Sequence, residues 1–253
     1  MIRVQEQSEC LPRLCCSPNH GVVLQFSALD PSGTEMFPVI TMEREGCCSK
    51  LCLGNAVCCE LCANEAFVHA GSVLMTAEHP PGKLPKHNVI GRCKVPVPFG
   101  GGLTPTIQVM DRTATSDTHW ANATGPTCFG GCSELCCSVP FAVHRVANGN
   151  GKVGLDLLSV ATISKIKPKT LGAMARELLS DSDIYELEIH DPTITPQQRA
   201  TLIGTALLMD YMFFEKDMDC LKCDSQGNIV FNLFNMFCCG VLWPCTMSIP
   251  TRG

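Results

Sequence analysis

The sequence predicts a mainly β protein, an antiparallel sheet closed into a barrel around one apolar C-terminal helix. Three observations predict it. The first two-thirds of the chain carry short apolar or alternating runs separated by Gly, Pro, Asn and Asp, the pattern of strands joined by turns. One stretch near the end, residues 200–214, is apolar nearly all round a helix, so it must be buried in protein or lipid. That stretch is also short: its fifteen residues rise roughly 22 Å, against a bilayer core of about 30 Å. Asp210 adds about 2.5–3.5 kcal/mol if held at the centre of a membrane. Both effects favour a sheet wrapped round the helix, with a span through a thinned bilayer as the alternative.

The elements follow in order. Residues 22–29 read as a strand, Asp30-Pro31-Ser32-Gly33 as a turn, and residues 36–42 as the returning strand. Residues 66–76 hold further strand candidates around Gly71. Residues 78–105 are rich in Pro and Gly and read as an extended loop. The Gly100-Gly101-Gly102 run inside it lacks the strand–loop–helix setting of a phosphate cradle and reads as a turn. Residues 104–110 alternate, with Ile107 and Val109 on one face. Residues 139–146 and 152–158 flank Asn148-Gly149-Asn150-Gly151, and Asn-Gly supplies the positive φ angles of a tight hairpin. Pro168 starts a helix whose Leu171, Met174, Ala175, Leu178 and Leu179 share the face that packs on the sheet. Residues 184–189 form a short alternating strand, and Thr195 caps the apolar helix, which begins at Pro196 and runs to Glu215. The chain thus divides into a β domain over residues 1–216, including helix 196–215, and a cysteine- and aromatic-rich tail over 217–253. In the tail Phe231, Phe234 and Phe237 fall at helical spacing; the segment suits a membrane interface, S-acylation, or a patch docked on the barrel.

Composition narrows the function classes. Hydrophobic residues make up 45% and charged residues 17%, enough for a sizeable core. A net charge of −5 argues against a general nucleic-acid binder and against attachment by polybasic attraction. The N-terminal residues Met1-Ile2-Arg3-Val4-Gln5-Glu6-Gln7 hold no apolar signal core, so the 19 cysteines are expected to face a reducing cytosol. Reduced cysteines pack in cores, bind metals or take acyl chains. Cys59-Glu-Leu-Cys62 and Cys220-Leu-Lys-Cys223 have zinc-like spacing but lie far apart. Cys128, Cys132, Cys136 and Cys137 suit either acylation or metal binding. No nucleophile elbow, Walker loop, His-Glu-x-x-His or dinucleotide fingerprint occurs, and the seven histidines are scattered, so the chain does not read as an enzyme.

Several segments carry a family resemblance, in the right order. They are Gln7-Ser8-Glu9-Cys10 with Arg13, Cys15 and Cys16; Val39-Ile40-Thr41-Met42-Glu43-Arg44 followed by cysteines; and Gly125-Pro126 before a second cysteine cluster. Then come Ile163-Ser164-Lys165, Arg176-Glu177 leading to Asp181 and Asp183, and the stretch from Ala200 to the closing Met212-Phe213-Phe214-Glu215. Over roughly residues 4–216 the chain resembles the phospholipid scramblase family, which shares a fold with tubby-like proteins. Insertions near 78–105 and 166–170 and the long tail depart from the family pattern.

The resemblance implies a closed antiparallel tubby-like β-barrel with the helix through its centre. It implies calcium-stimulated, ATP-independent movement of phospholipids between leaflets, at the cytoplasmic face of the plasma membrane. Membrane phospholipids are then the partners, no nucleic acid is expected, and a homo-oligomer is possible. Cys47, Cys48, Cys52, Cys58, Cys59 and Cys62 resemble the family's palmitoylated cysteine run. Asp181, Asp183, Tyr185 and Asp191 resemble its calcium-binding segment, although Glu186 stands where a calcium loop needs its turn glycine and the segment reads equally as a strand. A non-catalytic tubby-like tether or adaptor, and a cysteine-rich metal-binding protein, are the rival classes.

Overall fold

The computed structural model describes residues 2–8, 20–30, 32–33, 35–46, 63–76, 78–97, 101–112, 116–146, 159–170, 172, 184–214 and 220–250. Among these, ten strands form one antiparallel sheet. In chain order they are β1 (Ile2–Gln7), β2 (Val22–Leu29), β3 (Met36–Arg44), β4 (Glu65–Ala70), β5 (Val89–Lys94), β6 (Thr106–Arg112), β7 (Asp117–Thr124), β9 (Val139–Arg145), β10 (Ala161–Lys165) and β11 (Tyr185–Ile189). Each pairs with the next in the order given, and the two-residue strand β8 (Cys128–Phe129) joins a second sheet. The fold is therefore mainly β with antiparallel sheets and one C-terminal helix, as the turn-punctuated alternation predicts.

The alternation places the core. Val22 and Leu24, Ala66 and Val68, Ile107 and Val109, Phe141 and Val143, and Ala161 and Ile163 are buried, two residues apart on their strands. Gly33 N donates to Asp30 O at 3.0 Å with Gly33 at φ 77°, in keeping with the expected turn, and the returning strand is present. Residues 78–105 are not wholly loop. They contain β5, whose Gly91 and Cys93 face the helix, while Val89 is buried and pairs with His69 across a register shift; flanking Pro and Gly hide the short strand. The hairpin's return strand at residues 152–158, and the apolar stripe of residues 171–179, lie outside the described residues. β9 is paired on its two sides by β7 and β10.

Helix α1 (Pro196–Met209) starts where Thr195 predicts. The Thr195 hydroxyl accepts from Gln198 N at 3.2 Å, and the Gln198 side chain accepts from Thr195 N at 3.0 Å, a complete capping box with Pro196 at the first turn. Gln198 Nε2 also donates to Asp111 Oδ2 on β6 at 2.7 Å, tying the helix entry to the sheet. Thr201 and Thr205 hide their hydroxyls by donating to carbonyls one turn back, at 2.9 Å each, so polar residues cost little here. A π-helical turn over Asp210–Phe214 ends the helix, and Asp210 accepts from the Tyr185 hydroxyl on β11 at 2.7 Å.

One apolar cluster holds residues of β2 through β11 together with Leu202, Leu208, Met209 and Tyr211 to Phe214. α1 touches β4, β5 and β6 in mid-sheet and β11 at its end, so the sheet curls around the helix. Glycine permits the close approach. A Cβ on Gly91 would lie 1.9 Å from Thr201 Oγ1, and one on Gly204 would lie 2.6 Å from Val68 Cγ2. At the far end Phe213 stacks on Phe141 at 5.7 Å and meets Phe237 edge-on at 5.9 Å.

The tail is a second sheet rather than a helix. β12 (Leu221–Cys223), β13 (Ile229–Cys238) and β14 (Val241–Ile249) pair antiparallel, and β8 pairs β13. The helical spacing of Phe231, Phe234 and Phe237 is a by-product of a register shift between Asn232 and Phe234. The extra residue puts Phe231 and Phe234 on one face although they are three apart, while Phe237 turns into the core.

Gly91→Ala should lower stability by about 1–3 kcal/mol, because the new methyl overlaps Thr201. Thr201→Ala in the same chain should recover part of that loss. Urea midpoints for both single variants and the double variant test the contact; simple additivity would remove it.

Candidate functional site

The strand carrying Val39-Ile40-Thr41-Met42-Glu43-Arg44 sends its side chains to two layers. Met42 and Arg44 face the helix; the Arg44 guanidinium lies 5.0 Å from the Tyr211 ring and donates to the His20 carbonyl at 3.4 Å. Thr41 and Glu43 face the other way, beneath residues 72–76 and 78–88. The Glu43 side chain is fully sealed from water, yet its carboxylate accepts from Gly82 N (2.9 Å), Leu84 N (3.2 Å), His69 Nε2 (3.1 Å) and the Lys86 ammonium. Thr41 Oγ1 accepts from Val73 N at 3.1 Å and donates to Gly71 O at 2.8 Å. Val23, Val73 and Leu84 form a small second core underneath. One buried carboxylate thus fastens a proline-rich segment to the sheet's outer side.

Burial, and after it the Arg112 guanidinium, push the His69 imidazole down to about 4, so it is neutral and donates to Glu43 through Nε2. Burial, then Arg112 and Arg92, push Lys86 down to about 8; it remains mostly protonated at neutral pH, in keeping with its ion pair. Lys86 Nζ sits 3.8 Å from the Phe67 ring centroid. Arg92 approaches the same ring at 5.5 Å and bonds Glu65 and Asp117. Each of these cations has a carboxylate partner, so the cluster reads as a clamp on the loop. Sequence reasoning missed it; the available signal was a glutamate inside an otherwise apolar strand run.

The expected calcium residues are not brought together where they are described. Asp181 and Asp183 lie outside the described residues. Tyr185 starts β11 with its hydroxyl on Asp210 and its ring 6.0 Å from Phe214, facing the interior. Asp191 lies beyond the other end of the strand. Its Oδ2 accepts from Arg145 Nη2 at 2.8 Å, and its Oδ1 accepts from the Thr193 amide (2.8 Å) and hydroxyl (2.7 Å). The Thr193 hydroxyl and the Arg145 guanidinium hold its carboxyl down at about 2. Six residues of extended chain separate Tyr185 from Asp191 by roughly 20 Å, whereas one calcium holds its oxygens within about 2.6 Å. The strand reading of this segment is the one the structure adopts.

The six cysteines Cys47, Cys48, Cys52, Cys58, Cys59 and Cys62 also lie outside the described residues. The second cluster is described. Cys132 is disulfide-bonded to Cys220, which corrects two expectations: the thiols are not all free, and Cys220-x-x-Cys223 is not a zinc pair. No group of three metal-ligating side chains occurs among the described residues. Cys128, Cys136, Cys137, Cys223, Cys239 and Cys245 are exposed and unbridged.

The tail sheet presents the most unusual surface. Cross-strand pairing sets Met236 beside Trp243, Phe234 beside Cys245, Phe231 beside Met247 and Ile229 beside Ile249 on one face. Trp243 is 58% exposed and Met247 48%, and none of these eight residues carries a charge. The opposite face buries Asn232, Asn235 and Phe237 against the body. An exposed, uncharged sheet face that carries Trp243 is a candidate contact surface. No helix among the described residues is long and apolar enough to cross a membrane. No family model matches the chain, and no solved structure matches it.

The His69 shift has a pH signature. The unfolded imidazole takes a proton below about 6.5, whereas the folded one resists until about 4. Across that window the unfolded state binds more protons, so stability should rise with pH. Denaturation midpoints measured from pH 4 to 7 should show this slope in the parent and a shallower one in His69→Gln.

Proposed function

We propose that this chain is a phospholipid-scramblase-like protein. Its ten-stranded sheet would close as a tubby-like barrel around α1, and it would act on membrane phospholipids at the cytoplasmic face of the plasma membrane. The observation that carries this reading is the packing of residues 200–214 against antiparallel strands β4, β5, β6 and β11, in the stretch where the resemblance is strongest. Contacts of one helix with both the middle and the end of the ladder support closure. The action is non-covalent: the protein lowers the barrier for a polar headgroup to cross apolar lipid, by shielding the headgroup or thinning the bilayer. Acyl chains on Cys47, Cys48, Cys52, Cys58, Cys59 and Cys62 would supply anchoring, which needs two signals to be stable. Calcium would be held chiefly by Asp181 and Asp183, since Asp191 is already engaged by Arg145 and Thr193.

One observation favours a second reading, a tether or adaptor that binds lipid without moving it. α1 packs its buried residues against the sheet, and no helix among the described residues is long and apolar enough to cross a membrane.

Reconstitution into liposomes with a fluorescent phospholipid and external dithionite separates the two. The first reading expects calcium to expose inner-leaflet lipid to bleaching. The tether reading expects the protein to float with the vesicles while inner-leaflet lipid stays protected. A chain that neither binds nor bleaches would sink both. In the same assay Asp181→Ala should weaken the calcium response, and Asp191→Ala should leave it unchanged.

A further inference from the structure

The apolar face of the tail sheet does not stop at β13. Pairing with β8 puts Cys128 beside Met236, extending the face toward the main sheet. There it runs into a shallow groove of about 310 Å³ between β8, the 3-10 turn Gly131–Leu135 and the start of β9. Phe129 and Val139, both buried, form its floor; Pro126, Pro140 and Phe234 form its walls. Cys128 and Cys137 lie on the lining, exposed and unbridged.

The chemistry of the lining selects the occupant. It holds no charged side chain, and its two hydroxyls are already engaged. Ser133 Oγ donates to Gly130 O at 2.7 Å, and Ser138 Oγ accepts from Lys167 N at 3.1 Å. A polar ligand would lose its hydration there and gain little in return. An apolar chain would lose nothing, and the volume falls at the lower end of ligand pockets, roughly 300–1,000 Å³. The two thiols supply what a bare apolar groove lacks, a point of covalent attachment.

We infer that Cys128 and Cys137 form an S-acylation site separate from residues 47–62, whose long-chain fatty acyl group lies in the Phe129–Val139–Phe234 groove and continues over the Met236–Trp243 face. The acyl donor is a long-chain acyl-coenzyme A. The cysteine sulfur attacks the thioester carbonyl, the new carbon–sulfur bond forms, and the bond to coenzyme A breaks. Coenzyme A leaves as a thiol carrying the cysteine's proton, and nothing is oxidised or reduced. The site goes beyond the phospholipid reading and stands whether or not lipids are moved between leaflets.

The test uses the full chain expressed in eukaryotic cells fed an alkynyl palmitate analogue. A background with Cys47, Cys48, Cys52, Cys58, Cys59 and Cys62 all changed to Ser should keep a hydroxylamine-labile label. Peptide mapping of the parent should place an acyl mass on Cys128 or Cys137. Cys128→Ser with Cys137→Ser in that background should abolish the remaining label. Pro140→Arg, a change at an exposed wall position that keeps both thiols, should cut it several-fold. Recovery of the Cys128 and Cys137 peptides wholly unmodified, or an undiminished label in the double Ser variant, would overturn the site. An undiminished label in Pro140→Arg would overturn the groove's part in it. Liposome bleaching is unaffected by these outcomes, so failure here is distinct from failure of the phospholipid reading.

Discussion

The structure depends on one constraint: a helix with no polar face must put most of its surface against other apolar groups. Here Ala200, Ile203, Ala206, Leu207 and Asp210 stay half-buried while the rest of residues 200–214 is buried. An amphipathic helix can lie on a flat sheet and show its polar face to water. Residues 200–214 have no such face. Their burial forces the sheet to curl, and the curl draws β11 to the helix that β4, β5 and β6 also touch. The remaining adjustments serve that enclosure. Gly91 and Gly204 thin the contact, Thr201 and Thr205 satisfy their own hydroxyls, and Asp111 and Asp210 hold the two ends.

Much of this was legible before any coordinates. The 22–29 and 36–42 strands, the Ile107/Val109 face, the Thr195 cap and the buried helix each rest on a local pattern that physics reads directly: alternation, turn chemistry, capping and hydrophobicity. What was missed is non-local. β5 sits among prolines and glycines, and only pairing with β4 and β6 makes it a strand. The Phe231, Phe234, Phe237 spacing imitates a helix because a single inserted residue breaks the two-residue period. Composition does not reveal a bulge.

The site residues divide along the same line. Tyr185 and Asp191, grouped by the family resemblance as calcium residues, lie on a segment that reads equally as a strand, and extended chain carries them apart. Glu43, His69 and Lys86 are far apart in sequence and meet around one carboxylate. Neither fact follows from spacing alone. Sequence proximity implies spatial proximity only when the backbone turns, and here it runs straight.

The Cys132–Cys220 bond closes a loop of 88 residues that contains β9, β10, β11 and the whole of α1. It also ties the tail sheet to the segment just after β8. Its consequence reaches past folding. A protease that severs the backbone anywhere between the two cysteines releases no fragment, because the halves stay joined through sulfur. Such a clipped molecule would run at its original mass on a gel until a reductant is added.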